Sequence, residues 1–241
     1  FGRGSVMQMI NNIKSILSRR SAFISIANSI IIVAFICSNY GLINTATAEG
    51  NKSKCVNELS NERIFNNDIV IGNKAAKVII VEYFAPTCTH CAEYHSKVFP
   101  ELKRKYIDTG RIAYVMRECV GNKQDFDASV LGRCQDNTAS YLELMHQILT
   151  TQDYWAYSKD YRASLYKIAN DHGISDKQYD TCLGDDIKAK ILFDHAKLLV
   201  ADVDFIGTPS FYINGKLYKG EYSLDGLSEV IEGELTKSED R

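Results

Sequence analysis

Several features are scarce in this 241-residue chain. It has no internal repeat and no low-complexity segment, which excludes repeat architectures and linker-like composition. Prolines number only three, Pro86, Pro100 and Pro209, and Trp155 is the single tryptophan. Basic charge is not in excess either: 28 Lys and Arg stand against 30 Asp and Glu. That balance argues against nucleic acid as a partner. The chain has one close cysteine pair, Cys88 and Cys91, and no second ligand pair follows at finger-like spacing, which counts against a structural zinc site. Strand signals are missing between Phe126 and Val203, where helical periods run instead.

What is present begins with a leader. Lys14, Arg19 and Arg20 precede the uncharged apolar run Ser21 to Ser38, and Ala46-Thr47-Ala48 follows as a small-x-small site. Basic, apolar and cleavable in that order, residues 1–48 read as a secretory signal peptide that is removed. An uncleaved membrane anchor is the alternative, since the run approaches the roughly 20 residues that span a bilayer. Cleavage after Ala48 leaves 193 of the 241 residues with a net charge of −6, a length suited to one domain with an insertion. Six cysteines remain, Cys55, Cys88, Cys91, Cys119, Cys134 and Cys182, and export puts them where disulfides persist.

Residues 49–67 are polar and read as an N-terminal tail. The run Lys77 to Phe84, "KVIIVEYF", is β-branched, aromatic and almost continuously apolar, as a strand buried on both faces would be. After it come "APT" and the pair "CTHC", and then Cys91, Tyr94, His95, Val98 and Leu102 at helical spacing. Pro100 should bend this helix and Gly110 stop it. Arg111 to Cys119 reads as a second strand. Helical patterns fill 126–203, an all-helical insertion, and strand character resumes at "TPSFYINGKLYKG", where Asn214-Gly215 signals a hairpin. A last helix covers about Leu224 to Leu235. The plan is α/β: a parallel strand pair joined by a helix, with the late hairpin adding antiparallel strands to the same sheet.

Cys88 therefore falls where a strand turns into a helix. At a helix start its sulfur faces unpaired backbone N–H groups and the positive end of the helix dipole, which favour the thiolate. His90, when protonated, adds a positive charge, and Cys91 lies almost one turn on, close enough for a disulfide. Cys88 is the exposed attacker and Cys91 the buried resolver. Glu82, a carboxylate in an apolar strand, either relays protons to Cys91 or is a solvated residue at a sheet edge. Thr208-Pro209 opens a strand after Gly207, where a cis peptide is expected. Cys88, His90, Cys91 and His95 are chemically able to bind zinc or copper, although His90 would point away from its neighbours. His146, His172 and His195 read as surface or core residues, and Trp155 with its tyrosine neighbours as packing or a peptide groove.

"EYFAPTCTHC" with the distant "GTPSFYING" resembles the thioredoxin superfamily, and the helical insertion between them is similar to that of the DsbA-like thiol oxidases of bacterial periplasms. The resemblance spans roughly Asp68 to Leu235. It implies a thioredoxin fold in two parts, 68–125 and 204–241, around the insertion at 126–203. It implies that Cys88 is the nucleophile, that Thr89 and His90 tune the potential, and that Thr208 and Pro209 abut the site. Thr89-His90 stands where the best-known oxidases carry Pro-His, and Thr208 stands where they have valine and thioredoxins have threonine. Isomerisation or reduction on the same fold thus stays open beside oxidation, as does a periplasmic metal carrier or holdase.

Some DsbA-like proteins have a second, structural disulfide, and the resemblance places it at Cys134 and Cys182; the alternative is two buried free thiols. Such a bond would close a loop of about fifty residues, worth roughly 4 kcal/mol of unfolded-chain entropy. Cys55 and Cys119 either pair or stay free. The family further implies a periplasmic protein acting on reduced or misoxidised exported proteins, a DsbB-like membrane partner that reoxidises it, and no cofactor beyond the Cys88–Cys91 disulfide; the short polar tail before Asp68 favours a monomer over an oligomerising isomerase.

Overall fold

The computed structural model describes residues 64–202, 204–205 and 207–239. The expected leader, most of the expected tail, and Cys37 and Cys55 lie outside the described residues. Among the described residues five strands form one sheet: β1 (Ile69–Gly72), β2 (Val78–Phe84), β3 (Ile112–Glu118), β4 (Ser210–Ile213) and β5 (Lys216–Leu217), in the order β1-β3-β2-β4-β5. β2 and β3 are parallel, and the other pairings are antiparallel. The sheet is therefore mixed, with helices on both faces.

β2 occupies the centre because its apolar residues alternate between two interiors. Val78, Ile80 and Phe84 join one core with Tyr94, Leu102, Tyr114 and Phe211, whereas Val81 and Tyr83 face the other with Val115. Each such side chain contributes about 1.5–3 kcal/mol on burial. Glu82 belongs to the first set, opposite Met116 on β3 and Phe211 on β4. It is fully buried, so the reading of a solvated glutamate at a sheet edge is corrected: strands flank it on both sides.

β1 went unseen in the sequence. Its four residues, Ile69 to Gly72, are too short and too uniformly apolar to show alternation, and the antiparallel register with Tyr114 and Met116 defines it. At the other end, Asn214 and Gly215 both adopt positive φ, 47° and 78°. Two left-handed residues give the tight turn whose twist suits a hairpin. The Asn214 side chain also accepts from the Ile79 N–H, tying the turn to β2.

The helix after β2 is broken as Pro100 requires. α1 (Thr89–Lys97) ends before Val98, α2 (Phe99–Leu102) restarts with the proline in its first turn, and one wider π-type turn, Lys103–Ile107, runs to Gly110 at φ 72°. The insertion comprises α3 (Lys123–Gly132), α4 (Thr138–Thr150), α5 (Gln152–Trp155), α6 (Tyr161–Asp171), α7 (Asp176–Leu183) and α8 (Asp186–Ala201). Side chains of Asn122, Asn137, Asp160 and Asp185 cap four of these by accepting from first-turn N–H groups. The Asn122 cap starts the helical region at Lys123, three residues before the expected boundary. α9 (Leu224–Glu239) closes the described chain, running past the Leu235 at which it was expected to end.

The insertion shares its core with the sheet. Leu192, Phe193, Ala196 and Leu199 of α8 pack with Val81, Tyr83 and Val115, covering one sheet face. Trp155 is fully buried, with its indole N–H on the Ile148 carbonyl, and so is packing, whereas its neighbours Tyr154 and Tyr157 are exposed. Cys134 at the end of α3 is bonded to Cys182 in α7, with 6.0 Å between their Cα atoms. Among the described residues no helix is long and apolar enough to cross a membrane.

Candidate active site

Cys88 is the N-cap of α1, in an extended backbone conformation that passes the chain from β2 into the helix. Its sulfur lies 3.2 Å from the Thr208 carbonyl oxygen, and the Thr208–Pro209 peptide bond is cis. Cys88 and Cys91 are both free thiols. Cys88 is 7% exposed and Cys91 fully buried, so the expected exposed attacker presents only a narrow face to solvent. Thr89 and His90 are exposed beside it, whereas Thr208 and Pro209 are buried.

The Cys88 thiol is held down at about 5. The largest cause is a hydrogen bond from Cys91; burial opposes it, and Thr208 and the backbone N–H groups of Cys91 and His90 add to the lowering. As a thiol, Cys88 donates to the Thr208 carbonyl. As a thiolate it needs donors: Cys91 supplies the first, and the Thr208 hydroxyl, buried with no other partner, can supply a second. His90 contributes through its backbone N–H. Cys91 is pushed well above the usual thiol range by burial first, and then by the Cys88 hydrogen bond, the Cys88 charge and the Glu82 charge. One sulfur thus favours the anion and its neighbour the proton.

The loop before Cys88 is clamped from the insertion. The Thr87 N–H donates to the Asp125 carboxylate at 2.8 Å, and Asn122 donates to the Thr87 hydroxyl at 2.9 Å. Gln152 donates to the Pro86 carbonyl at 2.6 Å. Burial raises Asp125 to about 6 despite the Thr87 and Gly121 N–H groups, and the Cys88 charge adds to the rise. Sequence reasoning missed Asp125. The Asn-x-x-Asp start of α3 is visible locally, but Thr87 lies 38 residues away.

Behind Cys91, the Glu82 carboxylate accepts from Tyr114 at 2.8 Å, and His95 Nε2 lies 3.0 Å from each of its oxygens. His95 faces the sheet and His90 the solvent, so the four residues weighed as metal ligands do not converge. Among the described residues no group of three or more His, Cys, Asp or Glu is placed to hold a metal ion. His195 is buried between Asp68 and Glu118, 3.6 Å from each. Cys119 is a buried free thiol pushed up to about 12, by burial first and then by the Asp125 charge.

A family model described as thioredoxin matches residues 65–233. A Rickettsia conorii protein provisionally named a protein-disulfide oxidoreductase is 46% identical over 74% of this chain and 64% of its own length. A Rickettsia typhi protein of the same provisional name is 47% identical over 72% of this chain and 64% of its own. This chain therefore spans about 64% of the length of these two relatives. Among solved structures, alpha-DsbA1 of Wolbachia pipientis superposes with a TM-score of 0.69 at 26% identity, covering 74% of this chain and 96% of that one. The fold is also that of oxidised BdbD from Bacillus subtilis, with a TM-score of 0.63 at 21% identity, covering 70% and 93%.

Proposed function

The chain belongs to the thioredoxin family and is DsbA-like in sequence and fold, and from that premise we propose that it is an exported thiol:disulfide oxidoreductase that donates its Cys88–Cys91 disulfide to reduced proteins. The observation that carries this reading is the asymmetry of the pair: Cys88 held at about 5 at a helix start, next to a fully buried Cys91 held protonated. Stabilising the thiolate stabilises the reduced form, which makes the disulfide a stronger oxidant.

A substrate thiolate attacks Cys88 Sγ. The Cys88–Cys91 bond breaks, its electron pair passes to Cys91 Sγ, and Cys91 takes up a proton. A second substrate thiolate then attacks the substrate sulfur of the mixed disulfide, and Cys88 leaves as the thiolate it favours. Two substrate sulfurs are oxidised and the pair is reduced. A quinone-linked membrane protein restores the disulfide, so the reaction needs no bound cofactor. Residues 1–48 direct export to the periplasm, where the protein works as a monomer.

The test is the potential of the Cys88–Cys91 couple in glutathione buffers, with Cys134 and Cys182 kept bonded. The expected result is a value far above thioredoxin's, towards about −120 mV. A value near about −270 mV would reassign the site to reduction or isomerisation. Cys88→Ser should abolish transfer to a reduced two-cysteine peptide. Tight metal binding without such transfer in the parent protein would instead mark a carrier.

A further inference from the structure

Cys91 leaves as an anion in a site that raises its proton affinity by burial, so the groups packed around it are the candidates to supply its proton. The groups around it are few. His95 follows Cys91 by one helical turn on the same face of α1, and both are fully buried. Glu82 on β2 meets the imidazole through both carboxylate oxygens. A carboxylate accepts, so Nε2 carries a hydrogen. The other ring nitrogen, Nδ1, is buried with no hydrogen-bond partner among the described residues. His195 Nδ1 likewise makes no hydrogen bond among the described residues, but it still faces the Glu118 carboxylate at 3.6 Å.

The remaining groups facing this pair are weak acids or another histidine. Tyr114 on β3 donates to Glu82, and its hydroxyl lies 3.1 Å from that of Tyr94 on α1. Tyr141 on α4 senses the Glu82 charge and is bonded to Glu118. The rings of Phe84 and Phe99 pack on the imidazole. His146, exposed on α4, is near enough for the His95 charge to lower it, after the larger effect of its own partial burial. His146 is thus an exposed histidine on α4, the insertion helix that packs against α1.

We propose that His95, paired with Glu82, supplies the proton delivered to Cys91 Sγ when the Cys88–Cys91 bond opens, with His146 as the solvent-side exchange point. The proposal rests on the thiol-exchange reading above and extends it. In the step, the S–S electron pair goes to Cys91 and one proton passes from the His95–Glu82 pair to its sulfur. The pair is left as a neutral imidazole donating its Nε2 hydrogen to the carboxylate. A proton from solvent then refills it through His146. Reoxidation runs the same transfer backwards.

The experiment follows the full oxidised protein reacting with a reduced two-cysteine peptide, across pH, with rates corrected for peptide thiolate. In His95→Gln the amide still hydrogen-bonds Glu82 but carries no exchangeable charge. The corrected rate near neutral pH should fall about tenfold or more, as loss of a general acid does, and the parent's pH dependence should flatten. The Cys88 titration, read by thiolate absorbance, should stay in place. His146→Gln, an exposed substitution, should slow the reaction less and recover with added imidazole buffer. A His95→Gln profile superimposable on the parent's would overturn the proposal. If that variant does not fold, a His146→Gln rate equal to the parent's at low buffer concentration would overturn it instead. Failure of the parent itself to oxidise the peptide would sink the thiol-exchange reading, a different outcome from an active parent with unaltered variants.

Discussion

Glu82 and Glu118 lie on adjacent strands, each with a fully buried carboxylate, and they differ in what answers the charge. Glu118 meets Arg133 at 2.6 Å, Tyr141 at 2.8 Å and His195 at 3.6 Å. Asp68 nearby takes a two-pronged contact from Arg117, at 2.8 and 2.6 Å. Burial opposes ionisation of Glu118, but the Arg133 charge and His195 hold it down at about 2. Guanidinium never releases its proton at ordinary pH, so that cluster is a fixed joint linking β1, β3, α3 and α8. Glu82 has a histidine and a tyrosine as its hydrogen-bond partners, and both can give up or share a proton. A buried carboxylate is structural when its partner is permanent, and chemically available when its partner titrates.

The largest effect expected from breaking this contrast is at the fixed joint. Arg133→Met leaves Glu118 buried with no guanidinium and should cost about 3–5 kcal/mol in denaturant unfolding. The Cys88 titration should not move. A loss below about 1 kcal/mol would mean that the two carboxylates are held alike.

Acid separates the regions next, and the sign is the same for both. Glu118 is depressed from 4.5 to about 2 on folding, so its contribution is fully present above about 4.5 and is lost as pH falls through about 2. That contribution is about 3 kcal/mol. Cys88 is depressed from 9.0 to about 5, so the stability it lends the reduced form is complete above about 9 and is lost as pH falls through about 5. Reduced protein should therefore lose its stability advantage over the oxidised protein before the acid loss at Glu118 begins. Thermal unfolding of both redox forms between pH 3 and 9 checks the order; a gap between the forms that is unchanged across pH 5–9 would contradict it.

Asp125 gives the smallest and most local effect. It is coupled to Cys88 yet serves mainly to hold the Thr87 N–H. Asp125→Asn keeps an acceptor there while removing the small share of opposing charge that a carboxyl raised to about 6 still carries where Cys88 titrates. The Cys88 pKa should fall by less than about one pH unit, read from thiolate absorbance. A rise would show that loop position outweighs charge.

Legibility in the sequence followed range along the chain. The continuous apolar run of β2, the Asn-Gly turn and the break at Pro100 each depend on residues within a few positions of one another. β1 was missed because its four residues gain their identity from β3. His95 was noticed as one of the residues at helical spacing after Cys91 and as a possible metal ligand, since that spacing places it on the right face of α1 without naming Glu82 as its partner. Asp125 and the Asp68–Arg117 and Glu118–Arg133 pairs were missed altogether. Charged residues near a helix start or strand end look alike in sequence whether solvated or buried.

By itself the sequence determined the local chemistry: a strand running into a helix start with Cys88 and Cys91 one turn apart, because backbone periodicity sets such spacings over a few residues. Only the tertiary structure decided the surroundings of those sulfurs. Thr208 reaches Cys88 across 120 residues, Asp125 reaches Thr87 across 38, and Glu82 acquires His95 and Tyr114 through the register of β2 with β3 and the packing of α1 on them. Proton affinity in an interior depends on which groups surround a site once water is gone, and that arrangement exists only when distant segments have packed.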